Sequence, residues 1–446
     1  MKAPLNNILK ALVALAAVIG SAATVHAASN PYAQYIKESY EGKADTLTYC
    51  LVNQFLNTSR GTFWAVPRTE SNRATASTYI YWQQAHAMDV IVYSYQRIKD
   101  TKPTLANTYA QYMSRWFNNH ANNWYHDSSD RTGFLNEYTD DMCWICLTMI
   151  HIYEALGEEK YLNMAKTIFD QYVVPRGWTD DDGYWGLPWK SDNNDRNACT
   201  NAPGCLVAVK LYNYTGTAEY LDIAKEIYDF WAHVMATNLK NDGRVEDPPL
   251  TYTQGTFGEA CRQLYNATQD NTYMNMACKV IWYACSSERC VDRGLLRHEG
   301  TSMDQSIFKA VLIPYAVNLA LDPGCRANYR LNILRFLLKN ADTLWSNLDL
   351  ESYPRTFCNY YWGEPVDPAE VPSMGAMTSG ASLMENVSRM ALALGEFSSI
   401  ATLTGKNTHH NTIYDMQGRR IMSGTGSTTL LQPGTYIIDG RKVIIQ

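Results

Sequence analysis

One eight-residue pattern recurs three times along the chain, and it restricts the possible folds more than any other feature. Each copy has an aromatic residue first, an aliphatic residue second, alanine fifth and a β-branched aliphatic residue eighth; the copies begin at Tyr161, Tyr220 and Tyr273. This spacing is typical of an amphipathic helix. A short connector that closes another helix precedes each copy. The repeated unit is therefore a helical hairpin that recurs roughly every 50–60 residues.

The same three- and four-residue apolar spacing continues from residue 32 to about residue 403, without sustained alternation. It predicts an all-α fold of six hairpins. An open stack of hairpins needs polar capping units at its ends, and none is recognisable here, so we expect a closed ring with an inner and an outer helical layer. The predicted helices span 33–56, 79–99, 103–118, 140–156, 158–173, 197–214, 217–239, 254–268, 271–286, 303–321, 325–345 and 376–403.

The two ends of the chain differ from the helical region. Residues 1–28 carry Lys2 and Lys10, an apolar run and small residues, as in a secretory signal peptide. Residues 404–446 begin as a polar linker and then contain strand-like segments around Gly, Ser and Thr. We therefore expect residues 29–403 to be the catalytic domain of an exported protein, in the periplasm, at the cell surface or outside the cell, with no membrane span.

Charge and aromatic content narrow the choice of partner. The net charge is -6 and basic residues do not cluster, which argues against nucleic acid as a partner. The chain has 12 Trp and 31 Tyr, and flat amphipathic rings suit a protein that stacks on sugars. Trp185 and Trp189 stand beside Gly and Pro in a loop, where we expect them to stack on a glycan.

Asp140 and Asp141 stand in the first turn of a predicted helix. Helix capping explains one acidic residue there but does not require two. Adjacent carboxyl groups on a helix can lie roughly 5–6 Å apart, the separation used by retaining glycosidases. Each then raises the proton affinity of the other, so one can act as acid and the other as nucleophile. The residues alone do not say which is which.

Several blocks in order resemble glycoside hydrolase family 76, the bacterial and fungal endo-α-1,6-mannanases. The similarity runs from about residue 40 to residue 400, and its blocks are residues 82–89, 136–144, 197–203, 250–257 and 307–310. The resemblance implies an (α/α)6 toroid that cuts internal α-1,6 links of α-mannan or manno-oligosaccharides by a retaining double displacement. It also implies that Asp140 is the nucleophile and that Asp141 is the general acid and base. This chemistry needs no metal and no other cofactor.

The family context extends the candidate site to residues that bind the sugar. Trp144 either stacks below a sugar or shields the acid from water. Asn201 either caps its helix or faces the sugar, and Asp247, in a turn unlike that of the family, is a candidate partner for a sugar hydroxyl. The remaining candidates lie on predicted inner helices: Trp82, Tyr252 and Gln254.

Alternatives remain open for the function and for the tail. The same scaffold suits a non-catalytic glycan-binding protein, or a toroid enzyme such as a uronide hydrolase or a sugar epimerase. The tail resembles the C-terminal sorting modules of exported Bacteroidetes proteins, which implies a partner in the secretion machinery. Otherwise it is a small β appendage.

Overall fold

The structure is a computed structural model that describes residues 32, 34–36, 38–76, 80–121 and 133–395, and four strands between residues 409 and 445. The chain divides into two compact units, one formed by residues 36–393 and the other by the remaining residues. The expected signal peptide at 1–28 lies outside the described residues, as do residues 404–408 of the expected linker at 404–411; residues 409–411 are instead part of a strand.

Twelve long helices build the larger unit, and each corresponds to a helix that the sequence predicts. The last is described as far as Gly395, so the rest of the expected helix to residue 403 lies outside the described residues. Two short helices, Arg73–Ala76 and Ala236–Asn241, lie between the long ones. The long helices are α1 (Glu41–Phe55), α2 (Trp82–Ile98), α3 (Pro103–Ala121), α4 (Thr139–Leu156), α5 (Glu159–Ile168), α6 (Ala198–Thr215), α7 (Ala218–Val234), α8 (Thr251–Thr268), α9 (Asn271–Ser286), α10 (Met303–Leu321), α11 (Ala327–Ser346) and α12 (Met374–Gly395).

The even-numbered helices form the inner ring. Helices α2, α4, α6, α8 and α10 pack against one another in sequence. Helix α12 closes the gap, because Ser382 donates a hydrogen bond to the Ala310 carbonyl on α10 (3.0 Å). On its other side, Glu385 of α12 accepts hydrogen bonds from Arg97 of α2 at 2.7 and 2.9 Å. The expected toroid of six hairpins is therefore confirmed.

The two layers bury their side chains differently. Inner helix α10 buries almost every residue from Ser306 to Ala320, because neighbours surround it. Outer helix α7 buries one face only, and its buried residues are Tyr220, Ala224, Ile227, Tyr228, Phe230 and Trp231. This face contains the aromatic residue and the alanine of the repeated pattern. The pattern thus marks outer helices that cover the inner ring.

The short turns lie at one end of the ring and the long loops at the other. Short turns join each inner helix to the next outer helix, and the left-handed residues Gly157 (φ 73°), Gly216 (φ 70°) and Gln269 (φ 61°) make three of them. Long loops lead from each outer helix to the next inner one. Three of these loops hold two-stranded hairpins, β1/β2 (Leu56–Asn57, Thr62–Phe63), β3/β4 (Trp178–Thr179, Trp185–Gly186) and β5/β6 (Val291–Asp292, Leu295–Leu296). The N-termini of all six inner helices therefore share one end of the ring with the long loops.

The smaller unit contains an antiparallel sheet of four strands, β7 (His409–Asp415), β8 (Arg420–Ser427), β9 (Gly434–Ile438) and β10 (Arg441–Ile445). Their order in the sheet is β10-β9-β7-β8. Within the described part of the chain, no helix has both the length and the apolar character that crossing a membrane requires.

Candidate active site

The second residue of each inner helix lies at the loop-bearing end of the ring. Because the six inner helices run in the same direction, these residues stand at a similar height and face a common cleft. Five of the six carry a functional side chain, and the sixth, on α12, is Gly375. The five are Gln83, Asp140, Cys199, Tyr252 and Asp304.

One carboxyl oxygen of Asp140 makes no hydrogen bond. This atom, Oδ1, is buried. Burial raises the pKa of Asp140 to about 6, although the Cys199 thiol, the backbone amides of the first turn and the Trp189 indole favour the charged form. A carboxylate with an unpaired buried oxygen at a helix N-terminus is available as a nucleophile.

Asp141 binds its proton more strongly. Burial raises its pKa well above the usual range, and the charges of Asp140 and Asp304 raise it further. The Asn136 amide donates a hydrogen bond to Asp141 Oδ2 (2.8 Å), which opposes that rise. The two adjacent carboxyl groups are therefore separated in acidity, with Asp140 the first to ionise.

A half-buried arginine holds the loop in front of the pair. Arg176 donates to the carbonyls of Asn136 and Glu137, both at 2.9 Å, and to the Thr139 hydroxyl at 3.2 Å. Arg176 therefore fixes the approach to α4 and, with it, the position of the pair.

Aromatic rings form the floor of the cleft. Tyr252 stacks on Phe308 with ring centroids 4.2 Å apart, and Trp82 stacks on the same ring at 6.2 Å. Trp144 lies 6.2 Å from Trp82 and 6.1 Å from Tyr252, and it is only 1 % exposed. Trp144 is thus a packing residue beneath the cleft, whereas Trp82 and Tyr252 are partly accessible from it.

Asp304 brings a third carboxylate to the cleft. It accepts a hydrogen bond from the Trp82 indole (3.0 Å) and another from the Gln83 amide, while the residue itself stays exposed. Since its charge raises the pKa of Asp141, it lies within electrostatic reach of the pair.

Two predicted binding residues are engaged elsewhere. The Asn201 amide, 1 % exposed, bonds both the N–H (2.9 Å) and the carbonyl (3.0 Å) of Leu187. Gln254, 0 % exposed, accepts from the Val245 N–H (2.5 Å) and donates to the Gly243 carbonyl (3.1 Å). Both residues hold a loop backbone on an inner helix, so neither amide faces the cleft.

Asp247, another predicted binding residue, is engaged in ion pairs. Asp247 is exposed and forms ion pairs with Arg244 (3.0 Å) and Arg289 (2.6 Å). Its neighbour Glu246 is the carboxylate on the cleft side: its charge affects Tyr252, and burial raises its own pKa to about 7.

The two loop tryptophans have different surroundings. A Cβ added to Gly177 would lie 1.9 Å from the Trp185 ring, so that ring packs directly on the Gly177 backbone. Trp189 instead lies beside Asp140, and its carbonyl accepts from the Thr139 N–H at 2.8 Å.

Five residues of the site were missed in the sequence. Gln83, Cys199 and Asp304 share their helix position with Asp140, so aligning the first turns of the inner helices would have found all three. Asn136 stands within a block that the family resemblance already marked, but nothing in the sequence shows its bond to Asp141. The sequence analysis chose Asp247 instead of its neighbour Glu246, and only the folded loop shows which of the two lies on the cleft side.

The described part of the site offers no metal-binding arrangement. Among the residues that the structure describes, no three His, Cys, Asp or Glu side chains are grouped so as to hold a metal ion.

Comparison with known proteins identifies relatives of this chain. The model of the family described as Glycosyl hydrolase family 76 matches residues 39–393. A mannan endo-1,6-alpha-mannosidase of Eremothecium gossypii is 25% identical over 176 residues, which cover 34% of this chain and 39% of that protein. The match thus spans about two fifths of that relative's length.

Solved structures resemble the larger unit. The GH76A alpha-1,6-mannanase of Salegentibacter sp. HEL1_6 has a TM-score of 0.66 and 25% identity, covering 79% of this chain and 99% of that one. An inactive variant of that enzyme, with two consecutive aspartates changed to asparagine, was solved in complex with alpha-1,6-mannotriose. It has a TM-score of 0.66 and 24% identity, covers 79% of this chain and 99% of that one, and supports the fold.

Proposed function

This chain belongs to glycosyl hydrolase family 76, and from that membership and the geometry of its cleft we propose that it hydrolyses internal α-1,6 links between mannoses in α-mannan, with retention of configuration. The observation that carries the proposal is the Asp pair on α4. Asp140 has a buried oxygen without a partner, and Asp141 beside it retains its proton more strongly.

In the first step an Asp140 oxygen attacks the anomeric carbon as the bond from that carbon to the glycosidic oxygen breaks. Asp141 delivers its proton to the departing oxygen, and a covalent glycosyl ester remains on Asp140. Formation of the ester removes the charge of Asp140, so the pKa of Asp141 falls and Asp141 is left as a carboxylate.

In the second step water attacks the same carbon. Asp141 accepts the proton of the water, the ester bond breaks, and Asp140 leaves as a carboxylate. Two inversions at one carbon give a product with the α configuration of the substrate.

The substrate assignment is supported by the floor and by the relatives. Trp82 and Tyr252 present accessible ring surface beneath the pair, which suits stacking with a sugar. The Salegentibacter enzyme is named an alpha-1,6-mannanase, and the Eremothecium protein a mannan endo-1,6-alpha-mannosidase. The exposed Asp304 carboxylate supplies a hydrogen-bond acceptor for sugar hydroxyls.

The proposal is tested by incubating residues 29–446 with debranched α-1,6-mannan and sizing the products over time. Endo cleavage gives a ladder of intermediate oligomers from the first minutes. Asp140→Asn and Asp141→Asn should each lower turnover by at least about a thousand-fold, with unchanged circular dichroism. Asp222→Asn, the same change at an exposed position of outer helix α7, is the matched control and should retain turnover. Tight mannan binding without product would instead establish a glycan-binding protein.

The tail is proposed as an export address. Its four strands form a sheet in a unit separate from residues 36–393, as expected of a module read by secretion machinery. With an N-terminal signal peptide, it would direct the enzyme to the surface or the medium. Fusing residues 404–446 to an exported reporter tests this, and a reporter that stays in the periplasm of a competent host would contradict it.

A further inference from the structure

Asn136 contacts the proposed general acid directly, although it stands outside α4. Its Nδ2 atom donates to Asp141 Oδ2 at 2.8 Å, and the residue is 8 % exposed. A buried hydrogen bond to a carboxyl group is stronger than one in water and fixes its partner's orientation. Asn136 therefore bears on how Asp141 carries its proton.

The orientation of the Asn136 amide follows from its second bond. The Tyr138 N–H donates to Asn136 Oδ1 at 3.0 Å. An amide oxygen accepts and an amide nitrogen donates, so Oδ1 must face Tyr138 and Nδ2 must face Asp141. Asn136 can only donate to Asp141.

The backbone of Asn136 is equally constrained. The Asn136 carbonyl accepts from Arg176 Nη2 at 2.9 Å, and the next carbonyl, of Glu137, accepts from Ser191 N–H at 2.9 Å. The amide is therefore held in place before substrate arrives.

We propose that Asn136 is a positioning residue that keeps the proton of Asp141 on Oδ1 and stabilises the Asp141 carboxylate after that proton has left. An oxygen that accepts from Nδ2 is a poor site for a proton, so the proton occupies the other oxygen. In the second step the same bond supports Asp141 as the base that activates water. This inference rests on the proposed retaining hydrolysis.

The bond predicts a shift with a definite sign. It stabilises the charged form of Asp141, so its removal raises the Asp141 pKa. Activity that requires protonated Asp141 is lost as pH rises through that pKa. The alkaline limb of the kcat/KM profile therefore moves to higher pH, by about half to one unit, in variants without the donor.

Three substitutions at Asn136 test the role of its donor. Asn136→Leu removes both bonds without adding charge. Asn136→Asp keeps an acceptor for the Tyr138 N–H and, when ionised, cannot donate to Asp141; its added charge also raises the Asp141 pKa, so Asn136→Leu is the variant that isolates the lost bond. Asn136→Gln retains the amide and should restore part of the wild-type profile. Asn340→Leu is the control, because Asn340 is a buried amide (0 % exposed) that bonds the Leu296 N–H at 2.9 Å, away from the pair.

The experiment measures pH profiles with α-1,6-manno-oligosaccharides, and burst kinetics with a dinitrophenyl α-1,6-mannobioside, whose leaving group needs no proton. We expect Asn136→Leu and Asn136→Asp to move the alkaline limb to higher pH. Both variants should keep the burst and slow the steady-state rate that follows it by about 10- to 100-fold. Asn340→Leu should lower the Tm without moving either limb.

Unmoved limbs in both donor-free variants, with losses like those of Asn340→Leu, would overturn the inference and leave Asn136 a structural residue. A wild-type chain that releases nothing from mannan would instead refute the proposed function. The two failures are therefore distinguishable.

Discussion

Replacing Asp304 by asparagine should shift the alkaline limb of activity in the opposite direction to the loss of Asn136. The Asp304 charge raises the pKa of Asp141, whereas the Asn136 amide lowers it. The asparagine side chain has nearly the same outline as the aspartate, and its amide oxygen can still accept from the Trp82 indole and the Gln83 amide. The substitution therefore removes charge while it keeps the contacts.

The magnitude follows from Coulomb's law. For two unit charges at an illustrative separation of about 7 Å, the interaction is about 1.2 kcal/mol at an effective dielectric constant of about 40 and about 0.6 kcal/mol in bulk water. At about 1.4 kcal/mol per pKa unit, the loss of this repulsion in Asp304→Asn lowers the Asp141 pKa by about 0.4–0.9 units. Because Asp304 is exposed, added salt should shrink the shift.

The assay is the pH dependence of kcat/KM on α-1,6-manno-oligosaccharides for wild type and Asp304→Asn. The height of the profile reports any lost sugar contact, whereas the position of its alkaline limb reports the acid. Glu137→Gln is the control: Glu137 has a smaller influence on Asp141 and an ion pair with Lys190 at 3.1 Å, so its limb should stay within about 0.3 units. An Asp304→Asn limb that stays in place or rises would refute the assignment of Asp141 as the acid.

Three further predictions concern the nucleophile, the ring and one turn. kcat/KM should fall as pH drops through about 6, because burial raises the pKa of Asp140 to about 6 and the nucleophile must be ionised; a stopped pH series would show it, and full activity at pH 4 would contradict it. Glu385→Gln should lower the unfolding free energy in urea by about 1–3 kcal/mol, because Arg97, only 5% exposed at the ring closure, loses one of its two carboxylate partners and keeps Asp45; an unchanged midpoint would refute this. Gln269→Gly should raise the unfolding free energy by about 0.5–1 kcal/mol, because φ of Gln269 is 61° and glycine adopts this conformation without strain. A lower urea midpoint would show that the contacts of the Gln269 side chain outweigh the backbone strain.

The hairpins could be predicted because their signal is local. Tyr220, Ala224 and Ile227 are spaced for one helical face, and that face is the one buried in the structure. Gly157 and Gly216 stand at turns that need a residue with positive φ, and the glycines at these positions can be read directly from the sequence. Ring closure followed from the number of hairpins and the lack of capping ends.

Individual side chains in the cleft were harder to predict, because their partners are distant in sequence or their direction depends on a loop. Asn201 and Gln254 stand in the right turn of inner helices, yet both amides bond loop backbone. Polar residues near a site serve either the ligand or the scaffold, and composition does not separate the two roles. Asp304 reaches Asp141 only because the ring brings α10 opposite α4.

The most direct test of the Asp140–Asp141 mechanism is the anomeric configuration of the first product. Debranched α-1,6-mannan is cleaved in an NMR tube at a high concentration of residues 29–446, so that new reducing ends are observed before they mutarotate. The retaining mechanism predicts that the α-anomeric proton signal appears first and the β signal grows later. A β signal that appears first would contradict it, and would mean that Asp140 and Asp141 do not form the nucleophile and acid couple.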